Sequence, residues 1–288
     1  MASTQQLKRR ITSVKNTKQI TKAMELVAAS KMRRAQESTL RLRAYSNLAT
    51  AILTRLRELT DVSEHPLFAH RTIKTRLLII ITSDRGLAGS YNTNLIKHIV
   101  HVIKNDQKQN IHTQLIAVGR QGAKALSRVS GVDIIAVYDN FAEQPGANDI
   151  HPLLQSIIGL YADKKVDAVD VVYTNYKSSV NQVVTKNCLL PAAFETISVP
   201  PDLERATFEP SAEAVLDNIT QRLIESQLTQ AFLESRASEH SMRMMAMKNA
   251  TDNATELADD LTLAFNTARQ SAITQELAEI TGGAAAIK

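Results

Sequence analysis

The sequence predicts an α/β protein of an uncommon layout. A Rossmann-like α/β domain of about five strands is inserted between two long helices, which pair as an antiparallel α-helical coiled coil. Three observations predict this. Residues 1–65 and 211–281 contain neither glycine nor proline, the second stretch over 71 consecutive residues. Apart from Gly282 and Gly283, every glycine lies between Gly86 and Gly159, and every proline between Pro66 and Pro210. Residues 77–81 are an unbroken apolar run, which suits a strand buried on both faces of a parallel sheet.

The first helix, 1–65, opens on Ser3 and Gln6, which read as a capping box. Its pattern runs to about residue 60, and Pro66 marks the exit. The series Leu7, Val14, Thr21, Ala28, Ala35, Leu42, Ala49 and Leu56 repeats every seven residues without a charge. That is the repeat of a coiled-coil seam. Ile20, Met24 and Val27 form a second apolar strip, which suits contact with more than one neighbour.

The inserted domain, 66–210, alternates strand and helix patterns. After the strand at 77–81 comes the loop 83–92, then a helix from about 93 to 108. Strands follow at 114–118 and 132–137, with a helix near 121–129 between them. Asp149 can cap a helix carrying Leu153, Leu154 and Ile157. Residues 169–173 and 180–190 read as a closing antiparallel hairpin. Pro191, Pro200, Pro201 and Pro210 punctuate an extended return.

The last helix belongs to 211–288. Ser211 suits an N-cap, Glu213 the positive first turn, and Gly282-Gly283 a stop. A rod of this length would span roughly 100 Å, so it must lie along another rod or project. It is longer than the first helix, so its far end should overhang. Met242, Met244, Met245 and Met247 point around most of the helix, as expected of an enclosed segment. Leu257, Leu261, Ala264, Phe265, Ala268, Ile273, Leu277 and Ile280 continue the apolar series where the first helix has run out. The far end therefore needs another sleeve.

Charge separates the two arms. Residues 1–60 carry 13 Lys/Arg against 3 Asp/Glu, and residues 211–288 carry 6 against 11. Opposite signs favour their pairing. The surplus on the first arm leaves either a solvated basic face or a dock for an acidic partner. The single cysteine, Cys188, rules out an internal disulfide and suggests a reducing compartment. No apolar run approaches the roughly 20 residues of a bilayer span. The N-terminus has no apolar h-region, so no secretory signal is expected.

The most enzyme-like feature is the loop 83–92, which includes Asp84, Gly86 and Gly89. It sits after a strand and before a helix, where α/β folds bind ligands. It fits neither G-x-G-x-x-G nor the P-loop pattern. A tight turn with a capping aspartate is the favoured reading, and a nucleotide site the competing one. His98 and His101 share a helix face without a completing ligand. A nucleic-acid or anionic-lipid reading of the basic arm also stands, weakened because Tyr45 is its only aromatic residue. No metal and no cofactor is expected.

Four blocks resemble the gamma subunit of the F-type ATP synthase, bacterial type. They are ITSVKNTKQITKAMELVAASK at 11–31, TSDRGLAG at 82–89, RMMAMKNATDN at 243–253 and ARQSAITQELAEI at 268–280. The resemblance extends over the whole chain. Many members of the family carry Cys where this chain has Ala88.

The resemblance implies a non-catalytic subunit of the proton-translocating complex: a central rotor shaft, one per complex. It couples rotation of the membrane c-ring to conformational change at the catalytic beta subunits, and it regulates ATPase activity and proton flow. The implied partners are three alpha and three beta subunits, epsilon and the c-ring, with no nucleic acid. The implied place is the cytoplasmic face of the bacterial inner membrane, as a peripheral protein. Lys18, Lys22, Lys31, Arg33 and Arg34 would face acidic loops of beta. Met24, Arg243 and Met245 would sit where shaft and head meet. Arg269 and Gln270 would make polar contacts with beta near the tip. With one cysteine, the chain lacks the redox switch of the plant chloroplast type.

Overall fold

The computed structural model describes all residues except 1–3, 62–64, 130, 144, 194–198, 200–202, 204, 205, 207, 210, 287 and 288. Ser3, Pro200, Pro201, Pro210 and the Glu213 side chain, all given roles above, fall outside the description. The elements are α1 (Thr4–Leu59), β1 (Thr75–Ile81), α2 (Tyr91–Lys108), β2 (His112–Val118) and α3 (Arg120–Leu126). They continue as β3 (Asp133–Tyr138), α4 (Ala147–Ala162), β4 (Ala168–Tyr176), β5 (Gln182–Leu190) and α5 (Ala212–Ala286). The chain divides into two compact units, one of residues 1–28 and 243–288, the other of residues 29–242.

In the larger unit the five strands form one sheet in the order β3-β2-β1-β4-β5. Four strands are parallel, and β5 joins β4 as an antiparallel edge. The 77–81 run lies within β1, the central strand, and all five residues are buried. Alternate side chains point to opposite faces of a strand, which divides the run between two cores. Leu77, Ile79 and Ile81 pack with Ile150, Leu153 and Ile157 of α4 and with Ile224, Leu228 and Phe232 of α5. Leu78 and Ile80 pack on the other face with Leu95, Ile99 and Ile103 of α2.

The two long helices meet antiparallel in this unit. Leu53 and Leu56 of α1 cluster with Leu216 and Leu223 of α5. Earlier on α1, Ser46 shares a cleft with the later residues Gln227 and Gln230 of α5. Burial of each such leucine contributes about 2 kcal/mol.

In the smaller unit the buried positions of α5 are Met247, Thr251, Ala254 and Ala258. Their spacing of four, three and four is a coiled-coil seam. Leu7, Thr21 and Ala28 are the buried positions of α1, and the Thr21 and Thr251 hydroxyls meet at 2.8 Å. The seven-residue series holds throughout α1: six members are buried, and Val14 and Leu42 are half-buried. The second strip is not enclosed, for Ile20 and Val27 are exposed.

Three local expectations change. α5 does not stop at Gly282-Gly283 but runs on to Ala286. Glycine costs a helix only about 1 kcal/mol, and the three alanines that follow are the best helix formers. Asp149 is not the N-cap of α4. It sits in the first turn, and its carboxylate accepts the Gly146 N–H at 2.9 Å. The methionine cluster is only partly enclosed: Met247 is buried, Met242 and Met244 are half-buried, and Met245 is exposed. Ser211 does cap α5, accepting the Ala214 N–H at 3.2 Å.

Candidate functional site: the junction of helix and sheet

In open α/β sheets, ligands bind beyond the carboxyl ends of the strands, where the strand order reverses. Here that point lies between β1 and β4, and α5 occupies it. Residues 231–241 of α5 are all buried, although they include Glu234, Arg236, Glu239 and His240. Such burial requires that each polar group find a partner.

Glu234 accepts from Gln230 at 2.8 Å, and the serines of this stretch meet main-chain carbonyls at the carboxyl ends of β1 and β4 and in the turn after β4. Ser235, Ser238 and Ser241 stand three apart, on one side of the helix. The Ser235 hydroxyl lies 3.4 Å from the Ile81 carbonyl at the end of β1 and 2.6 Å from the Tyr91 hydroxyl. Ser238 donates to the Thr174 carbonyl of β4 at 2.9 Å. Ser241 donates to the Ser179 carbonyl in the β4–β5 turn at 2.9 Å. Serine is small enough to let helix and strand ends approach this closely.

Beside the ladder, Arg236 pairs with Glu239 at 2.9 Å and donates to the Phe141 carbonyl at 3.1 Å. Burial opposes the Arg236 charge, but Glu239 and, farther off, Tyr91 and Glu143 hold the guanidinium and raise its pKa. Phe141 stacks on Phe232 with ring centres 4.8 Å apart. Glu143 then bonds His240 of α5 at 2.7 Å and Lys31 of α1 at 2.5 Å. The His240 bond, reinforced by Lys31 against partial burial, holds the Glu143 carboxyl well below the usual carboxylate range.

The loop 83–92 is a structural turn. Asp84 accepts the Arg120 N–H at 3.2 Å, so it caps α3 rather than the helix that follows the loop. Asn92 accepts the Ser83 N–H at 3.1 Å and donates to its hydroxyl at 2.7 Å, and Ser83 donates onward to the Arg85 carbonyl at 2.7 Å. Thr82 behind it donates to the Val118 carbonyl at 2.8 Å and accepts the Gly122 N–H at 3.0 Å. These bonds tie the loop to the start of α2, to β2 and to α3.

His98 is half-buried, and burial, then His101 and Lys186, lower its pKa. His101 is exposed and bonds Asn105 at 3.1 Å. Cys188 is exposed at the β5 edge, but burial of the thiol and nearby Asp170 push its pKa up to about 11. It lines a polar cleft of about 700 Å³ with Ser46, Tyr173, Lys186 and Gln230. Lys186 is paired with Asp170 at 3.2 Å. Among the described residues no group of three or more His, Cys, Asp or Glu could hold a metal ion. Among them, too, no helix is long and apolar enough to cross a membrane.

The residues expected to meet partners are spread along both long helices. Lys18 and Met24 are half-buried, flanking the buried Thr21, while Lys22 is exposed and paired with Glu25 at 3.1 Å. Arg33 and Arg34 are exposed, whereas Lys31 is engaged by Glu143. Arg243 is half-buried and Met245 exposed; Arg269 and Gln270 stand exposed farther along α5. The junction itself was missed by sequence reasoning. Its one available signal was serine at 235, 238 and 241 within a stretch too long to be wholly exposed.

Known proteins align with this architecture from end to end. A family model described as ATP synthase matches residues 3–287. ATP synthase gamma chains from two strains of Acidithiobacillus ferrooxidans are each 39% identical over 289 residues, covering all of this chain and all of the relative. Among solved structures, a chain of the Tetrahymena thermophila mitochondrial ATP synthase central stalk and c-ring is 28% identical. It has a TM-score of 0.62 and covers 80% of this chain and 99% of its own. A chain of the Euglena gracilis mitochondrial ATP synthase, 19% identical, shares the fold at a TM-score of 0.68, covering 99% of this chain and 94% of its own. A long helix that closes the sheet's own ligand crevice, a turn where a nucleotide loop would sit, and full-length similarity to gamma chains agree: this chain belongs to the gamma-chain family of the ATP synthases.

Proposed function

We infer that this chain is the central rotor shaft of an F-type ATP synthase, coupling rotation of a membrane c-ring to conformational change in a head of alpha and beta subunits. It is a subunit of an enzyme complex, and it contributes no catalytic group of its own. Residues 66–210 are the foot, which rests with epsilon on the c-ring. Residues 1–65 and 211–288 form the shaft inside three alpha and three beta subunits, one shaft to each complex. The bacterial relatives support a place at the cytoplasmic face of a bacterial inner membrane.

Rotation does its work through differential contact. A shaft angle shifts a beta site only if it stabilises one beta conformation over another. Lys18, Lys22, Arg33 and Arg34 supply positive charge for acidic loops of beta, with Lys31 at the edge of that face. Met24, Arg243 and Met245 meet the head where coupling occurs, and Arg269 and Gln270 contact beta near the tip.

One observation carries this reading. The sheet's ligand crevice is filled by α5, while the far part of α5 carries Ile273, Leu277 and Ile280 in the open. A chain so built has its internal site closed and its apolar surface turned outward to a partner. The test is to tag a permissive loop of the foot and purify the chain from native membranes in mild detergent. Equimolar recovery with three alpha and three beta subunits and ATP hydrolysis is expected. Recovery as a lone protein, or nucleotide binding by the isolated chain, would sink the reading.

A further inference from the structure

We propose that the segment after β3, residues 139–143, is a strap that locks the sheet to both shaft helices and carries torque between them, with Glu143 as its pin. The inference rests on the rotor reading above. Torque that enters at the foot must reach both helices, or one slides along the other. The serine ladder ties α5 to the ends of β1 and β4 but makes no bond to α1. The strap does both. Phe141 stacks on Phe232 and its carbonyl accepts a hydrogen bond from Arg236, fixing the strap to α5. Two residues on, one Glu143 oxygen takes Lys31 of α1 and the other takes His240 of α5.

The geometry distinguishes a pin from an ordinary surface ion pair. His240 and Arg236 are buried, so the strap is anchored inside the protein although Glu143 is half exposed. Its two partners lie 209 positions apart in sequence and on separate helices. Removing the carboxylate frees α1 from the strap while leaving the Phe141 stack and the serine ladder in place. The shaft then remains folded but gains torsional slack.

The experiment compares wild type, Glu143→Gln, Glu143→Ala and the same-loop control Asp139→Ala in the assembled membrane complex. Amide hydrogen exchange across 139–143 is expected to quicken about fivefold in both Glu143 variants, the scale of an exposed ion pair. ATP synthesis driven by a fixed proton gradient is expected to fall relative to hydrolysis by the detached head, and Asp139→Ala to match wild type. The milder Gln variant keeps the test alive if Ala fails to assemble. Unchanged exchange, or faster exchange with an unchanged ratio of synthesis to hydrolysis, would overturn the strap and leave the rotor reading standing. A wild-type chain that does not assemble with alpha and beta would overturn the rotor reading itself.

Discussion

The Ser238 hydroxyl donates to the Thr174 carbonyl at 2.9 Å, joining the middle of α5 to the carboxyl end of β4. Both residues are buried. Ser238→Ala leaves that contact unmade and is expected to cost about 1 kcal/mol. Ser238→Leu must force helix and strand apart and is expected to cost about 1–3 kcal/mol. Urea midpoints of the purified chain check the order. Equal midpoints for the two variants would mean that α5 does not sit tightly on the sheet.

Gly119 and Gly122 are held against Thr82 for a different reason. Gly119 has φ of +92°, and a Cβ there would run into the Thr82 main-chain carbonyl. At Gly122 a Cβ would lie 2.6 Å from the Thr82 Cγ2. The first clash is with backbone and the second with a side chain. Gly119→Ala is therefore expected to destabilise by more than about 2 kcal/mol whatever stands at 82. The cost of Gly122→Ala should shrink when combined with Thr82→Ala. Thermal unfolding of the single and double variants separates the two cases.

Much of this architecture is legible in the sequence, because glycine and proline are strong punctuation and a parallel strand reads as an apolar run. The seven-residue series beginning at Leu7 marks the buried face of α1, and the run beginning at Leu77 marks the central strand. The junction is not legible. Ser235, Arg236, Ser238, Glu239 and His240 read as solvent-facing by hydropathy, yet they are buried: carbonyls and a carboxylate far along the chain receive Ser235, Arg236, Ser238 and His240, and Glu239 pairs with Arg236 on the same helix. Polar burial depends on partners such as Phe141 and Glu143, and no local pattern announces those. Asp84 misled for a related reason, since the helix it caps begins 36 residues later at Arg120. The candidate partner positions were legible only through the family resemblance, for no spacing rule distinguishes Arg269 from any other exposed arginine.

Glu143 makes stability pH-dependent in a defined direction. Its carboxyl, ordinarily near 4.5, is depressed first by the His240 bond and then by Lys31. Arg236 lies close enough to feel the same charge. A depressed carboxylate contributes stability above its unfolded pKa and loses it as pH falls through the folded value. With the side chain 53% exposed, the contribution is at most about 1 kcal/mol. Wild type and Glu143→Gln should thus differ at neutral pH and converge as the pH is lowered below 4.5. Urea midpoints at pH 7 and pH 3 measure this. A gap that widens in acid would reverse the sign of the argument.

The far part of α5 gives the sharpest contrast between the chain alone and the chain in its complex. Ile273, Leu277 and Ile280 are 47%, 57% and 68% exposed. Every residue from 269 to 282 is exposed as well. In the isolated chain, Leu277→Ser removes no buried contact, so its urea midpoint should match wild type within about 0.5 kcal/mol. Inside the head the same leucine would be covered, and burial of a leucine is worth about 2 kcal/mol. Retention of the shaft in the head should then weaken by roughly 30-fold, read as faster loss of the chain on dilution of the purified complex. Arg269→Ala, on the same segment, tests the polar share of that contact. If Leu277→Ser lowers the midpoint of the isolated chain but leaves retention unchanged, the apolar end of α5 packs on its own chain and not on the head.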